Sequence, residues 1–264
     1  MLRRRKSDAP FLRENLVAAL TDGAACEVDI AFTADGHALC LHDPTLDRET
    51  TGRGLVAATA RSQIERVLQR GSDGRELLSA PLFLDEIVAT VRQIGATLPA
   101  LVQLDVKTPA GDLDPSWLAR IAGVLGESAP AFIASGYDWE TVRRLTAAAP
   151  GMHTGFDPLL FYPRSCDLDA TALGALAART LATASGASVY YLEARLVLAA
   201  LDRGVDLVAA VTGAGARVDA WTIDADLPDL RDVLRRLIAA GCHQLTSNDP
   251  EALRPIVEEV ALCS

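Results

Sequence analysis

Short, mostly apolar runs alternate with segments in which apolar residues recur every three or four positions. The strand-like runs are CEVDIAF (26–32), HALCLHD (37–43), LVQLDVK (101–107), AFIAS (131–135), MHTGF (152–156), SVYYL (188–192), RVDAWTI (217–223) and CHQLTS (242–247). Segments with helical spacing cover 14–21, 84–94, 117–126, 139–148, 170–184, 205–212, 226–240 and 250–261. Side chains repeat every two residues in a strand and every 3.6 in a helix, so the two periods separate these elements. Strand followed by helix, repeated seven or eight times, predicts parallel βα units. At this length the pattern predicts the α/β class and a (β/α)8 TIM barrel, in one domain over 1–264.

Two segments interrupt the rhythm. Residues 44–81 are polar and turn-rich, and are expected to form a small insertion after the second strand region. The start of the chain offers only Met1-Leu2 before RRRK, where a first strand needs an apolar run. An incomplete or atypical first strand is expected. Its neighbours would expose ladder groups, so the N-terminal arm is expected to be mobile, or the gap covered by another subunit.

The chain has 264 residues, half of them apolar, and a formal net charge of −10. That charge argues against a nucleic-acid partner and against an anionic membrane surface. No apolar stretch is long enough for stable membrane insertion. The basic N-terminus lacks the apolar core of a secretory signal, so a cytoplasmic location is expected. Cysteines 26, 40, 166, 242 and 263 lack paired or zinc-type spacing and read as reduced, buried thiols. A homo-oligomer is left open.

Glu27 and Asp29 lie two apart in one strand and share a face, as do Asp105 and Lys107 in another. Carboxylates from different strands converging at a barrel's C-terminal rim would hold a hard cation such as Mg²⁺ or Ca²⁺. Glu27 and Asp29 alone would equally suit the solvent face of an alternating strand. His42-Asp43 closes its run beside an acidic cluster. The imidazole suits acid/base work, although a His-Asp pair also occurs in plain Asx turns. Ser135 and Trp221 are candidates for a pocket lining. His37, His153 and His243 are weaker candidates, being near a turn or at strand starts.

In order, these pieces resemble the glycerophosphodiester phosphodiesterase family. ENLVAAL (14–20) is similar to its E-N-T-L-x-A-F helix start. EVDIAFTADGHALCLHDPTLDRETTGRG (27–54) resembles its E-x-D-V-x-x-T-x-D-G-x-x-V-x-x-H-D-x-x-L-x-R-T-T-x-G-x-G block almost throughout. LDVK (104–107) resembles the E-x-K strand with Asp105 replacing Glu, and IAS (133–135) the S-F strand end with Gly136 in place of Phe. WTID (221–224) and TSNDPEAL (246–253) resemble W-T-V-N and T-(D/N)-x-P-x-x-L. The resemblance implies a TIM barrel with an insertion after the His-Asp strand. It also implies a hydrolase of lipid metabolism: metal-dependent cleavage of a small-molecule glycerophosphodiester to an alcohol and sn-glycerol 3-phosphate. Glu27, Asp29 and Asp105 carry over as ligands for Mg²⁺ or Ca²⁺, His42 as the acid/base, Lys107 as a phosphate or transition-state contact, and Trp221 as a pocket wall.

One motif does not carry over. Where the family has His-Arg-Gly at the end of its first strand, this chain has Arg4-Arg5-Lys6-Ser7. Arg5 can bind a phosphate, but with a pKa above about 12 it cannot shuttle protons. The chain is therefore read as a phosphodiesterase or, alternatively, as a catalytically impaired relative that binds a phosphorylated ligand or partner at the same mouth. A first strand encoded upstream of Met1 is the third reading.

Overall fold

A computed structural model describes residues 2–95, 101–162 and 167–262, which form two compact units, 1–153 and 154–264.

The first unit opens with an arm that forms no strand among the described residues. Apolar side chains rather than a ladder hold the arm against the unit. Leu2 and Phe11 are buried in the unit's core. The Phe11 N–H donates to Leu2 O at 3.2 Å. Helix α1 (Arg13–Thr21) follows, then β1 (Cys26–Phe32) and β2 (Ala38–Cys40). β1 and β2 form an antiparallel hairpin, Ile30 opposite Cys40 and Phe32 opposite Ala38, where an all-parallel sheet was expected. The reason is local. Thr33 N–H bonds His37 O at 3.0 Å and Gly36 N–H bonds Thr33 O at 2.9 Å, closing a tight turn. Gly36 has φ +75°, and a Cβ there would sit 2.0 Å from Trp117 Cδ1. Only glycine lets that indole stack on Phe32, with ring centroids 5.3 Å apart.

Residues 44–81 are part of the first unit. They hold a short 3-10 helix (Val56–Ala58) and α2 (Arg61–Ile64), and Leu46, Val56 and Ile64 close a small cluster over Leu39, Leu41 and Phe83. Then come α3 (Leu84–Ile94), β3 (Val102–Val106), α4 (Pro115–Leu125), β4 (Phe132–Ser135) and α5 (Trp139–Ala148). α3 buries Leu84, Ile87, Val88 and Val91, the i, i+3, i+4, i+7 stripe of a core-facing helix. Each such side chain contributes about 1.5–3 kcal/mol when fully buried. The strand order is β2-β1-β3-β4, parallel from β1 onward.

In the second unit β5 (His153–Phe156), α6 (Ala170–Thr183), β6 (Val189–Glu193), α7 (Ala194–Asp202), α8 (Leu207–Gly213), β7 (Arg217–Trp221), α9 (Leu230–Ala239), β8 (Gln244–Leu245) and α10 (Pro250–Leu262) follow in turn. Its strands are parallel in sequence order. Asp114, Asp138, Asp169 and Asp206 cap α4, α5, α6 and α8 by accepting backbone N–H bonds, worth about 1 kcal/mol each. Among the described residues no helix is long and apolar enough to cross a membrane. Cys26, Cys40 and Cys242 are free thiols. Burial above all pushes Cys26 and Cys242 up to about 12, which suits inert thiols. Cys166 and Cys263 lie outside the described residues.

Candidate active site

The site is written in the register of β1 against β3. Glu27 stands opposite Gln103 and Asp29 opposite Asp105. Register partners on adjacent parallel strands point to the same face, so Glu27, Asp29, Gln103 and Asp105 share one side. Lys107 continues that side one pleat beyond Asp105, with its N–H 3.4 Å from Ile30 O. Oxygens of Glu27, Asp29 and Asp105 lie within 4.8 Å of one another. Lys107 Nζ is 3.0 Å from Asp29 Oδ1 and bonds Asp105 as well. Asp29, only 1% exposed, does not lie on a solvent face, and Glu27 is half-buried.

Electrostatics follow from this crowding. Burial first, and the Asp29 charge next, push the Glu27 carboxyl up to about 7. Burial also works to raise Asp29, but nearby positive charge, Lys107 included, outweighs it and holds Asp29 below its ordinary value. For Lys107 burial opposes the charge, while the Asp105 and Asp29 carboxylates hold the ammonium well above its usual range. Three clustered carboxylates, two of them on the Lys107 ammonium, are hard oxygen donors, the chemistry that Mg²⁺ and Ca²⁺ take. The residues therefore fit a divalent cation.

β4 supports this face. Ser135 is buried, accepts from Gln103 Nε2 at 3.0 Å and donates to Leu104 O at 3.4 Å, so it braces β3. The following Gly136 answers a close approach: a Cβ there would lie 2.8 Å from Val106 O. That explains glycine at a position where the family pattern has Phe.

His42 lies beyond the short β2. The Leu41 N–H bonds Asp29 O at 3.2 Å, which brings the hairpin's end alongside the carboxylate cluster. The His42 side chain is 43% exposed, and its Nδ1 is 2.9 Å from Asp43 Oδ1. Arg48 grips Asp43 with Nε and Nη2, both at 2.6 Å. Hydrogen bonding from Arg48, above all, holds the Asp43 carboxyl down to about 2. His42, Asp43 and Glu49 also come within 4.8 Å of one another, but the Arg48 guanidinium already bonds both acids. Neither Arg48 nor Glu49 was singled out from the sequence. The signal available was Glu49 itself, an acid where the family pattern has Thr.

Asp43 carries a pH prediction. Its folded value lies below the ordinary 3.8, so the unfolded chain binds the proton more readily between the two. The stabilisation is present above about pH 4 and lost as pH falls toward 2. The urea midpoint of wild type is expected to drop more steeply over that window than that of Asp43→Asn. Parallel curves would contradict the assignment.

The remaining sequence candidates are placed as follows. Arg5 is exposed on the arm, its backbone N–H 3.0 Å from Asp8 Oδ2. Trp221 ends β7 in register with Glu193 and is half-buried. Its indole N–H is buried without a hydrogen-bond partner among the described residues. His37 packs edge-on to Phe83, and His243 Nδ1 accepts from the Val218 N–H at 3.2 Å, so both have packing or ladder roles.

The family model described as "Glycerophosphoryl diester phosphodiesterase family" matches residues 14–252. Mycobacterium tuberculosis probable glycerophosphodiester phosphodiesterase 1 is 32% identical over 152 residues, 52% of this chain and 54% of that protein. The match thus spans about half the length of that relative. Among solved structures, a glycerophosphodiester phosphodiesterase from Agrobacterium tumefaciens superposes with TM-score 0.66 at 18% identity, covering 95% of this chain and 96% of the other. An Oleispira antarctica phosphodiesterase in complex with the product sn-glycerol-3-phosphate gives TM-score 0.66 at 19% identity, covering 97% and 95%. At these identities the structures bear on fold alone, and the fold class is the expected (β/α)8 barrel.

Proposed function

The chain belongs to the glycerophosphoryl diester phosphodiesterase family, and from that premise we propose that it hydrolyses a glycerophosphodiester to an alcohol and sn-glycerol 3-phosphate. Glu27, Asp29 and Asp105 would hold the divalent cation, Mg²⁺ or Ca²⁺. When bound, that cation supplies positive charge that polarises phosphoryl oxygens.

The chain's own groups do the rest. A phosphodiester is an anion, and the carboxylate cluster alone would repel it. The Lys107 ammonium, held protonated by Asp29 and Asp105, offers a point charge to a phosphoryl oxygen. Hydrolysis adds water to phosphorus and breaks the bond to the alcohol oxygen. One proton leaves the water and one reaches the departing alkoxide. An ionised Asp43 only accepts hydrogen bonds, so it keeps the proton of a neutral His42 on Nδ1 and leaves Nε2 open. His42 is therefore assigned as the acid/base: its Nε2 takes the water's proton and returns one to the departing alkoxide. Arg5 is assigned to phosphate contact.

The observation that carries this reading is the Asp29–Asp105 register, with Lys107 Nζ 3.0 Å from Asp29 Oδ1. The replacement of His-Arg-Gly by Arg4-Arg5-Lys6-Ser7 favours the second reading, a relative that binds a phosphorylated ligand without cleaving it. The purified chain is expected to hydrolyse glycerophosphocholine and bis(p-nitrophenyl) phosphate with Mg²⁺ or Ca²⁺, and to lose both activities in excess EDTA. Cation binding with no hydrolysis of either substrate would support the second reading instead.

A further inference from the structure

We propose that Glu49 is a positioning residue that fixes His42 for proton transfer. The inference rests on His42 being the base, as assigned above.

The bonds form a closed circuit that starts and ends at His42. Glu49 Oε2 accepts the His42 backbone N–H at 3.1 Å. Glu49 Oε1 accepts from Arg48 Nη2 at 2.5 Å. The same Nη2 and the neighbouring Nε bond the two oxygens of Asp43. Asp43 Oδ1 meets His42 Nδ1 at 2.9 Å. One residue is thereby held at its main chain and at its ring, and Arg48 ties the two holds together.

Exposure separates structural support from ornament. The Arg48 side chain is 57% exposed, and an Arg48–Asp43 pair by itself would contribute little. Glu49 is 6% exposed. A buried carboxylate is costly unless its oxygens are matched by donors, and here both oxygens have one. Neither donor belongs to the ladder of a sheet or to a helix cap, so the buried charge serves the segment carrying His42. β2 ends at Cys40, two residues short of the imidazole. Without Glu49 the main chain of His42 would lack this anchor, and the ring would hang on an exposed ion pair.

The test uses Glu49→Gln in the full chain. Gln has one acceptor oxygen where two donors must be met, and its amide N–H₂ would face the other donor. With bis(p-nitrophenyl) phosphate and saturating Mg²⁺, kcat is expected to fall about 10- to 100-fold with KM within about twofold, the cost of a misplaced base. The His42 ring ¹⁵N shifts, assigned by comparison with His42→Ala, should move from the Nδ1–H form toward a tautomer mixture. Arg48→Lys keeps the charge and the Glu49 carboxylate, but cannot bridge both acids, and should show the same two changes. Wild-type kcat and an unchanged tautomer in folded Glu49→Gln or Arg48→Lys would overturn the inference. The ring shifts are read without substrate. A wild type that cleaves no phosphodiester therefore defeats the function and leaves the hold on His42 to be judged by them.

Discussion

Asp29→Asn should lower kcat/KM for glycerophosphocholine by about 10²–10³-fold, the scale on which one preorganised charge-stabilising contact is lost. The argument is local. Asp29 is the most enclosed of the three acids, 1% exposed, and stands directly opposite Asp105. It also holds Lys107 at 3.0 Å. Removing its charge weakens the oxygen set available to a cation and loosens the ammonium that would meet the phosphate. Asn keeps the shape, so the fold should persist, and the circular dichroism spectrum should match wild type. A folded Asp29→Asn with kcat/KM within a few-fold of wild type would show that hydrolysis does not use this cluster.

His42→Ala is expected to reduce kcat by about 10²–10⁴-fold, the usual contribution of a general acid or base. KM should change little, because the phosphate is met by Lys107 and by the cation that Glu27, Asp29 and Asp105 would hold. The side chain is 43% exposed, which leaves room for a small molecule in its place. Added imidazole should therefore restore part of kcat in His42→Ala and none in Asp29→Asn. Equal rescue of both variants, or an unaltered kcat, would contradict the assignment of His42 as the base.

Much of the site was legible because it rests on strand periodicity. The two-residue spacing within 27–29 and 105–107 puts the charges on common faces. The inter-strand register then only had to align 29 with 105. The hairpin was less legible: 37–43 is as apolar as a parallel strand, and its direction was set by the Thr33–His37 turn and by the glycine under Trp117. α7 was missed because ARLVLAALD is a nearly continuous apolar run whose N-cap, Glu193, gives no side-chain cap. The packing of the arm was hard to read for a different reason. Two isolated apolar residues, Leu2 and Phe11, make no periodic pattern, yet each finds a place in the core. Glu49 departs from the family pattern, but its burial was not legible, because a buried acid and a solvated one look alike in a polar loop. Only the donors around it reveal the difference.

The central claim is that Glu27, Asp29 and Asp105 form a single divalent-cation site. Isothermal titration calorimetry of the metal-free chain with Mg²⁺ and with Ca²⁺ tests it most directly. One cation per chain is expected to bind to wild type and to His42→Ala, and none at that affinity to Asp29→Asn or Glu27→Gln. Undiminished binding in both carboxylate variants, or no binding to wild type, would contradict the claim.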